Sequence, residues 1–206
     1  MILSASHVLT GLPLVSPFPL SSGITQPGPA DLKWPTSNQF CNCNLFATDA
    51  VGILEEYEPV FPESPTGISN QMDAAVALCN VSSRTCSPTI LNVGTPSIVL
   101  TGALPGLQVI KQGRSSLQHG AVIEVNRSFV FYTPNGTPYS YNNQTYFNTS
   151  AFDGDSGARF VTTGTCHSPV ALFWGGGTEY LLSGQLAPVS FGSPLQPVIN
   201  KMGELN

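Results

Sequence analysis

Apolar residues in this chain recur in short runs between turn residues, not in the long stripes of amphipathic helices. Strands are predicted at Met1–Ser4, Ala50–Leu54, Ala74–Cys79, Ser97–Leu100, Gln108–Gln112, Ala121–Val125, Phe129–Tyr132, Ala158–Thr162, Val170–Trp174 and Leu186–Val189. Asn135-Gly136 lies between two aromatic runs and reads as a hairpin turn. Many short strands at fairly regular spacing predict an all-β protein, a sandwich or a pair of barrels. Residues Gly11 to Asn44 break the pattern: they are rich in Pro, Ser, Gly and Asn and read as a long surface insertion. A division near Pro88–Pro105 predicts two units, residues 1–95 and 96–206. The tail predicts one short helix, with Ser193 as cap, Pro194 in the first turn and Leu195, Val198, Ile199 and Met202 at helical spacing.

Composition narrows the picture. A chain of 206 residues can bury a core without staples, and 20 Gly with 18 Pro fit a turn-rich β fold. Seven Lys and Arg against twelve Asp and Glu give a net charge of −5 and no basic patch, so no nucleic-acid partner is expected. No apolar run reaches the ~20 residues of a membrane-spanning helix. The opening residues lack the positive charge of an export signal. Cys79 and Cys86 are spaced to clip a hairpin, with reduced buried thiols as the alternative; Cys41 and Cys43 are too close to favour each other, and Cys166 is left over. Five N-x-S/T sequons, at Asn80, Asn126, Asn135, Asn143 and Asn148, lean toward secretion.

The candidate chemistry lies in three stretches. Asp153-Gly154-Asp155-Ser156-Gly157 sets a serine between glycines ahead of an apolar run. Ser4-Ala5-Ser6-His7 ends a short apolar strand on a histidine, and Asp73 stands at the mouth of Ala74–Leu78. A serine hydroxyl needs a base to take its proton as it attacks, an imidazole can take and return that proton, and a buried carboxylate holds the imidazole in the right tautomer. Ser156, His7 and Asp73 are assigned to those roles. Gly154 permits a sharp turn, so that the N–H groups of Gly154 and Ser156 can converge as an oxyanion hole. Asp49 is the runner-up carboxylate, ahead of Asp31 and Asp153; His119 and His167 have no comparable setting. No His, Cys or carboxylate cluster has metal-ligand spacing, and neither a metal nor another cofactor is expected.

These motifs, in the order His, Asp, Ser, resemble the trypsin-like (chymotrypsin-fold) serine peptidases, whose text reads T-A-A-H, D-I-A-L and G-D-S-G-G. Here it reads Ser4-Ala5-Ser6-His7, Asp73-Ala74-Ala75-Val76 and Gly154-Asp155-Ser156-Gly157-Ala158. Gly113-Arg114-Ser115-Ser116-Leu117-Gln118-His119-Gly120 resembles the G-R-T-T-G-x-T-x-G stretch of a divergent, partly bacterial branch. The resemblance implies a chymotrypsin-like double β-barrel with a short C-terminal helix docked on the second barrel. It also implies about two strands ahead of the histidine, so the first barrel is expected to be incomplete and the chain N-terminally truncated. It implies that Phe173-Trp174-Gly175 borders the substrate backbone, and that Ser150 lies at the pocket floor and favours uncharged, apolar P1 side chains. In activated relatives the residue matching Asp155 pairs with a freed N-terminus, which this chain lacks; Asp155 must find another partner. The function implied is a serine endopeptidase acting on proteins or peptides. The alternatives are an inactive homologue that binds proteins or peptides, and an unrelated glycosylated β-sandwich.

Overall fold

The structure, a computed structural model, describes residues 1–10, 23–25, 50–63, 67, 69–79, 86–114, 116–133, 135–180 and 184–203. Its elements are β1 (Ile2–Ser4), α1 (Ser6–Thr10), β2 (Gly23–Thr25), β3 (Ala50–Tyr57), β4 (Ala75–Leu78), β5 (Gln108–Gln112), β6 (Leu117–Tyr132), β7 (Pro138–Phe147), β8 (Arg159–Thr162), β9 (Pro169–Tyr180), β10 (Leu186–Pro194) and α2 (Leu195–Met202). Two sheets result. The first is open and four-stranded, in the order β1-β4-β3-β2; the second is a closed barrel, β10-β7-β6-β5-β8-β9. The fold is all-β, with an open first sheet, a closed barrel and a short C-terminal helix among the described residues.

Differences from the sequence expectations have physical causes. Ser97–Leu100 is not a strand: Ile98 and Val99 are exposed, and the segment is held by Ser97 N–H donating to the Cys166 carbonyl (2.9 Å). The two strands expected at Ala121–Val125 and Phe129–Tyr132 are one, β6, bent by register shifts between Val122 and Phe129. Asn126 takes a left-handed conformation inside that bend (φ 57°). β7 went unread because Tyr139–Thr145 mixes aromatic and amide side chains, yet it pairs with both β6 and β10. The Asn135-Gly136 turn is present, with Gly136 N–H donating to Thr133 O at 2.8 Å. Part of the expected insertion, Gly23–Thr25, pairs with β3; Cys41, Cys43, Asp31 and Asp49 lie outside the described residues. Cys79 and Cys86 form a disulfide, and Cys166 is a free thiol exposed at the surface, not a buried one.

Helix α2 begins after Pro194, with no side-chain cap; the Ser193 hydroxyl expected to cap it is engaged elsewhere. Its apolar face of Leu195, Val198 and Met202 packs with Leu3, Met72, Ala74 and Val76 of the first sheet and its lead-in, and with Leu172 of the barrel. The helix therefore joins both halves and is not confined to the second. The barrel interior holds Val109, Val122, Phe147, Phe160, Val170, Ala171 and Phe173. An aromatic layer of Phe129, Tyr139, Tyr141, Tyr146, Trp174 and Phe191 fills the space toward Ala5 and Val60. No described helix is long and apolar enough to cross a membrane.

Candidate active site

Strand register brings the histidine to the aspartate. β1 and β4 are antiparallel, with Ser4 opposite Ala75, so the chain leaving β1 toward His7 starts beside the segment that carries Asp73 into β4. His7 lies in the single turn of α1, and Asp73 is buried. The Asp73 carboxylate takes two bonds from one residue: His7 N–H donates to Oδ1 at 3.0 Å, and His7 Nδ1 lies 2.6 Å from Oδ2. With Nδ1 so held, the second ring nitrogen is the one left for proton transfer. Burial lowers the imidazole's pKa, but the hydrogen bond and charge of Asp73 outweigh it and hold it above the ordinary value of 6.5. The Tyr141 phenol is pushed far up by burial, then by Asp73 and Tyr139, so it stays neutral.

The serine sits in a turn that only glycines permit on both sides. Gly154 and Gly157 have φ of 89° and 92°, in the left-handed region where a side chain is strained. A Cβ on Gly157 would collide with the Ser4 hydroxyl, so the serine loop rests directly on the strand that leads to His7. Gly157 N–H donates to Phe173 O and Phe173 N–H to Ala158 O, each at 2.8 Å, pinning the loop to β9. The Ser156 hydroxyl donates to the Trp174 carbonyl at 3.1 Å and makes no hydrogen bond to His7 in this structure. The N–H groups of Gly154 and Ser156 donate to no acceptor among the described residues.

Asp155 pairs with Lys111. Lys111 Nζ lies 2.9 Å from Asp155 Oδ2, both side chains are fully buried, and Nζ sits 3.8 Å from the centroid of Phe173. It also reaches the Ser150 carbonyl at 3.4 Å. Burial lowers the lysine's pKa while Asp155 raises it, with a net shift downward. An internal cation thus anchors the residue between Gly154 and Ser156, the other partner that the sequence reading required of Asp155. The sequence shows a lysine beside Val109 and Ile110, but nothing local names its partner, 44 positions along the chain.

The other assigned positions are placed as follows. Phe173 and Trp174 point into the molecule, Phe173 against Lys111 and Trp174 into the aromatic layer; Gly175 is half-buried. Ser150 is half-buried, and its carbonyl accepts from the Ser190 hydroxyl at 3.2 Å. His119 is exposed on β6, and His167 bonds the Thr162 carbonyl. Asp153 is exposed.

No family model matches this chain, and no curated protein sequence matches it either. Solved structures do. Chymotrypsin from Cellulomonas bogoriensis is 16% identical, with a TM-score of 0.54 over 76% of this chain and 75% of that one. Protease A from Thermobifida fusca is 20% identical, with a TM-score of 0.50 over 76% and 74%. A glutamic-acid-specific serine protease is 17% identical, with a TM-score of 0.51 over 75% and 73%. Likeness at this identity speaks for architecture, and with the open sheet, closed barrel and terminal helix it establishes that this chain has the chymotrypsin fold.

Proposed function

We propose that the chain is a serine endopeptidase that works through an acyl-enzyme. Ser156 Oγ attacks the scissile carbonyl, His7 takes its proton and returns it to the leaving amine, and Asp73 holds the ring. The N–H groups of Gly154 and Ser156 receive the oxyanion. Water then repeats the sequence and frees the acid. The observation that carries this reading is the buried Asp73 carboxylate holding His7 Nδ1 at 2.6 Å, with the serine loop packed on the same strand. Turnover requires the Ser156 hydroxyl to leave Trp174 and face His7, a rearrangement that substrate binding can supply. A second reading, an inactive homologue that binds proteins or peptides, is favoured by that Ser156–Trp174 hydrogen bond. Labelling with a fluorophosphonate decides between them: the endopeptidase reading expects one modified residue, Ser156, whereas a folded chain that takes no label supports the binding reading.

The P1 side chain is proposed to lie beside Ser156, between residues 149–152 and the strand through Gly175 and Gly176, with Ser150 contributing no charge. A Cβ on Gly176 would collide with Ala151 Cβ and the Val189 carbonyl, and the Ser190 hydroxyl ties β10 to the carbonyls of Thr149 and Ser150. Walls in such contact leave room for glycine or alanine. In a panel of peptides differing at P1, kcat/KM for these two is expected to exceed that for Phe or Lys at least about 10-fold. Equal cleavage after large residues would contradict that placement.

Catalysis needs His7 neutral, and its pKa is raised. The acid limb of kcat/KM is therefore expected to have its midpoint above pH 6.5. The stability contributed by the His7–Asp73 pair runs the other way: it is complete below the unfolded histidine's pKa and is lost as pH rises through the folded one. In Asp73→Asn, burial acts unopposed. The histidine midpoint, followed by NMR, is then expected to drop below 6.5, with kcat reduced about 10⁴-fold. A midpoint that does not move would remove Asp73 as the partner.

Export of the protein is proposed as well. A disulfide at Cys79–Cys86 is suited to an oxidising compartment, and the sequon residues Asn126, Asn135 and Asn148 are exposed.

A further inference from the structure

One buried amide touches both ends of the candidate site. Gln144, on β7, is fully buried and uses all its hydrogen-bonding capacity. Its Nε2 donates to the Gln71 carbonyl at 2.9 Å and to the Asn142 carbonyl at 2.7 Å. Its Oε1 accepts from the Trp174 indole at 2.8 Å and from the Ser193 hydroxyl at 3.3 Å. Ser193 Oγ in turn accepts the Asp73 N–H at 3.1 Å. Trp174 is the residue whose carbonyl receives the Ser156 hydroxyl. A continuous path of hydrogen bonds therefore runs from His7 through Asp73, Ser193, Gln144 and Trp174 to Ser156.

From this geometry we infer that Gln144 is a positioning residue, which fixes the Asp73–His7 pair relative to the strand that carries Ser156. The two ends belong to different sheets: Asp73 leads into β4 of the open sheet, and Trp174 is in β9 of the barrel. Apolar contacts between the halves are non-directional and tolerate small slides. An amide with both donors and both acceptors engaged has one orientation, and a buried group that loses a partner has no water to replace it. The Gln71 bond matters most in this respect, because it holds the backbone two residues before Asp73. Small misplacements of reacting groups are enough to cost catalysis: about 1 Å can lower a rate about 100-fold.

The inference rests on the endopeptidase reading for its kinetic consequence but not for its geometry, so the test has two readouts. Gln144→Leu, Ser193→Ala and the double variant are compared with the wild type. In each variant kcat per fluorophosphonate-titrated site is expected to fall about 10- to 100-fold, with KM within about 2-fold. The His7 midpoint, which Asp73 controls as the charged group facing the ring, is expected to fall in step. The double variant is expected to be little worse than Gln144→Leu, since Ser193 acts through the same amide. Lower melting temperatures with unchanged kcat per site and an unchanged His7 midpoint would overturn the inference, as would fully additive losses. If Gln144→Leu does not fold, Ser193→Ala, which leaves the Gln144–Trp174 bond intact, decides alone by the same two readouts. If the wild type turns over no peptide, the endopeptidase reading fails, and the His7 midpoints still test whether Gln144 positions Asp73.

Discussion

Exchange of Ser156 for alanine is expected to leave a folded chain whose peptide hydrolysis has dropped by about a million-fold. The hydroxyl is the nucleophile of the proposed reaction, and no neighbouring group replaces it. What remains is the background from the oxyanion donors and substrate binding, about 10³–10⁴ above water. The fold loses little, because the half-buried hydroxyl makes a single hydrogen bond, to the Trp174 carbonyl, worth about 1 kcal/mol. The measurement is kcat/KM of wild type and variant beside their thermal midpoints and fluorophosphonate labelling. Turnover in the variant within 100-fold of wild type would remove Ser156 from the mechanism, as would a label that persists.

Lys111→Met is expected to cost more in stability than any substitution at the site itself. The lysine and Asp155 are both fully buried, so removing the cation leaves a buried carboxylate without its Lys111 counter-charge. The expected loss is about 3–5 kcal/mol, a drop in melting temperature of roughly 6–20 °C for a chain of this size. Activity is expected to fall further than the folded fraction does, because Asp155 lies between Gly154 and Ser156 and its displacement turns both N–H groups. Adding Asp155→Asn to Lys111→Met removes that buried negative charge. The double variant is expected to regain most of the lost stability, since an uncharged pair of similar volume suits a buried site. If Lys111→Met melts with the wild type, the pair is not the internal anchor described above.

The all-β class was legible from short apolar runs between turns, and β5 was read with its observed bounds, Gln108–Gln112. Alternation misleads where burial and composition part company. Ser97–Leu100 looks like a strand because Ile98 and Val99 are β-branched, but both are exposed and no strand pairs with them. Tyr139–Thr145 hid a central strand because its buried positions include Gln144 and Thr145, which satisfy their polar groups inside the molecule. Of the site, His7 and Asp73 could be named from motif and order, and the β1–β4 register is what joins them. Lys111, Gln144 and Ser193 were beyond that reading: each acts through a partner more than 40 positions away, a relation that local pattern does not carry. Ser193 illustrates the competition. A serine before a proline-led helix is a natural cap, but its hydroxyl serves Asp73 and Gln144 instead.

The placement of α2 sets an order of events during synthesis. Ribosomes release a chain from its N-terminus, so β1, α1 and β4 emerge long before Leu195–Met202. Until those residues arrive, Leu3, Met72 and Val76 have no apolar lid, and Asp73 lacks the Ser193 hydroxyl that accepts its N–H. At ordinary elongation rates the wait is on the order of ten seconds. The half of the molecule that bears His7 and Asp73 is therefore translated first, and its packing is completed by the last element of the chain.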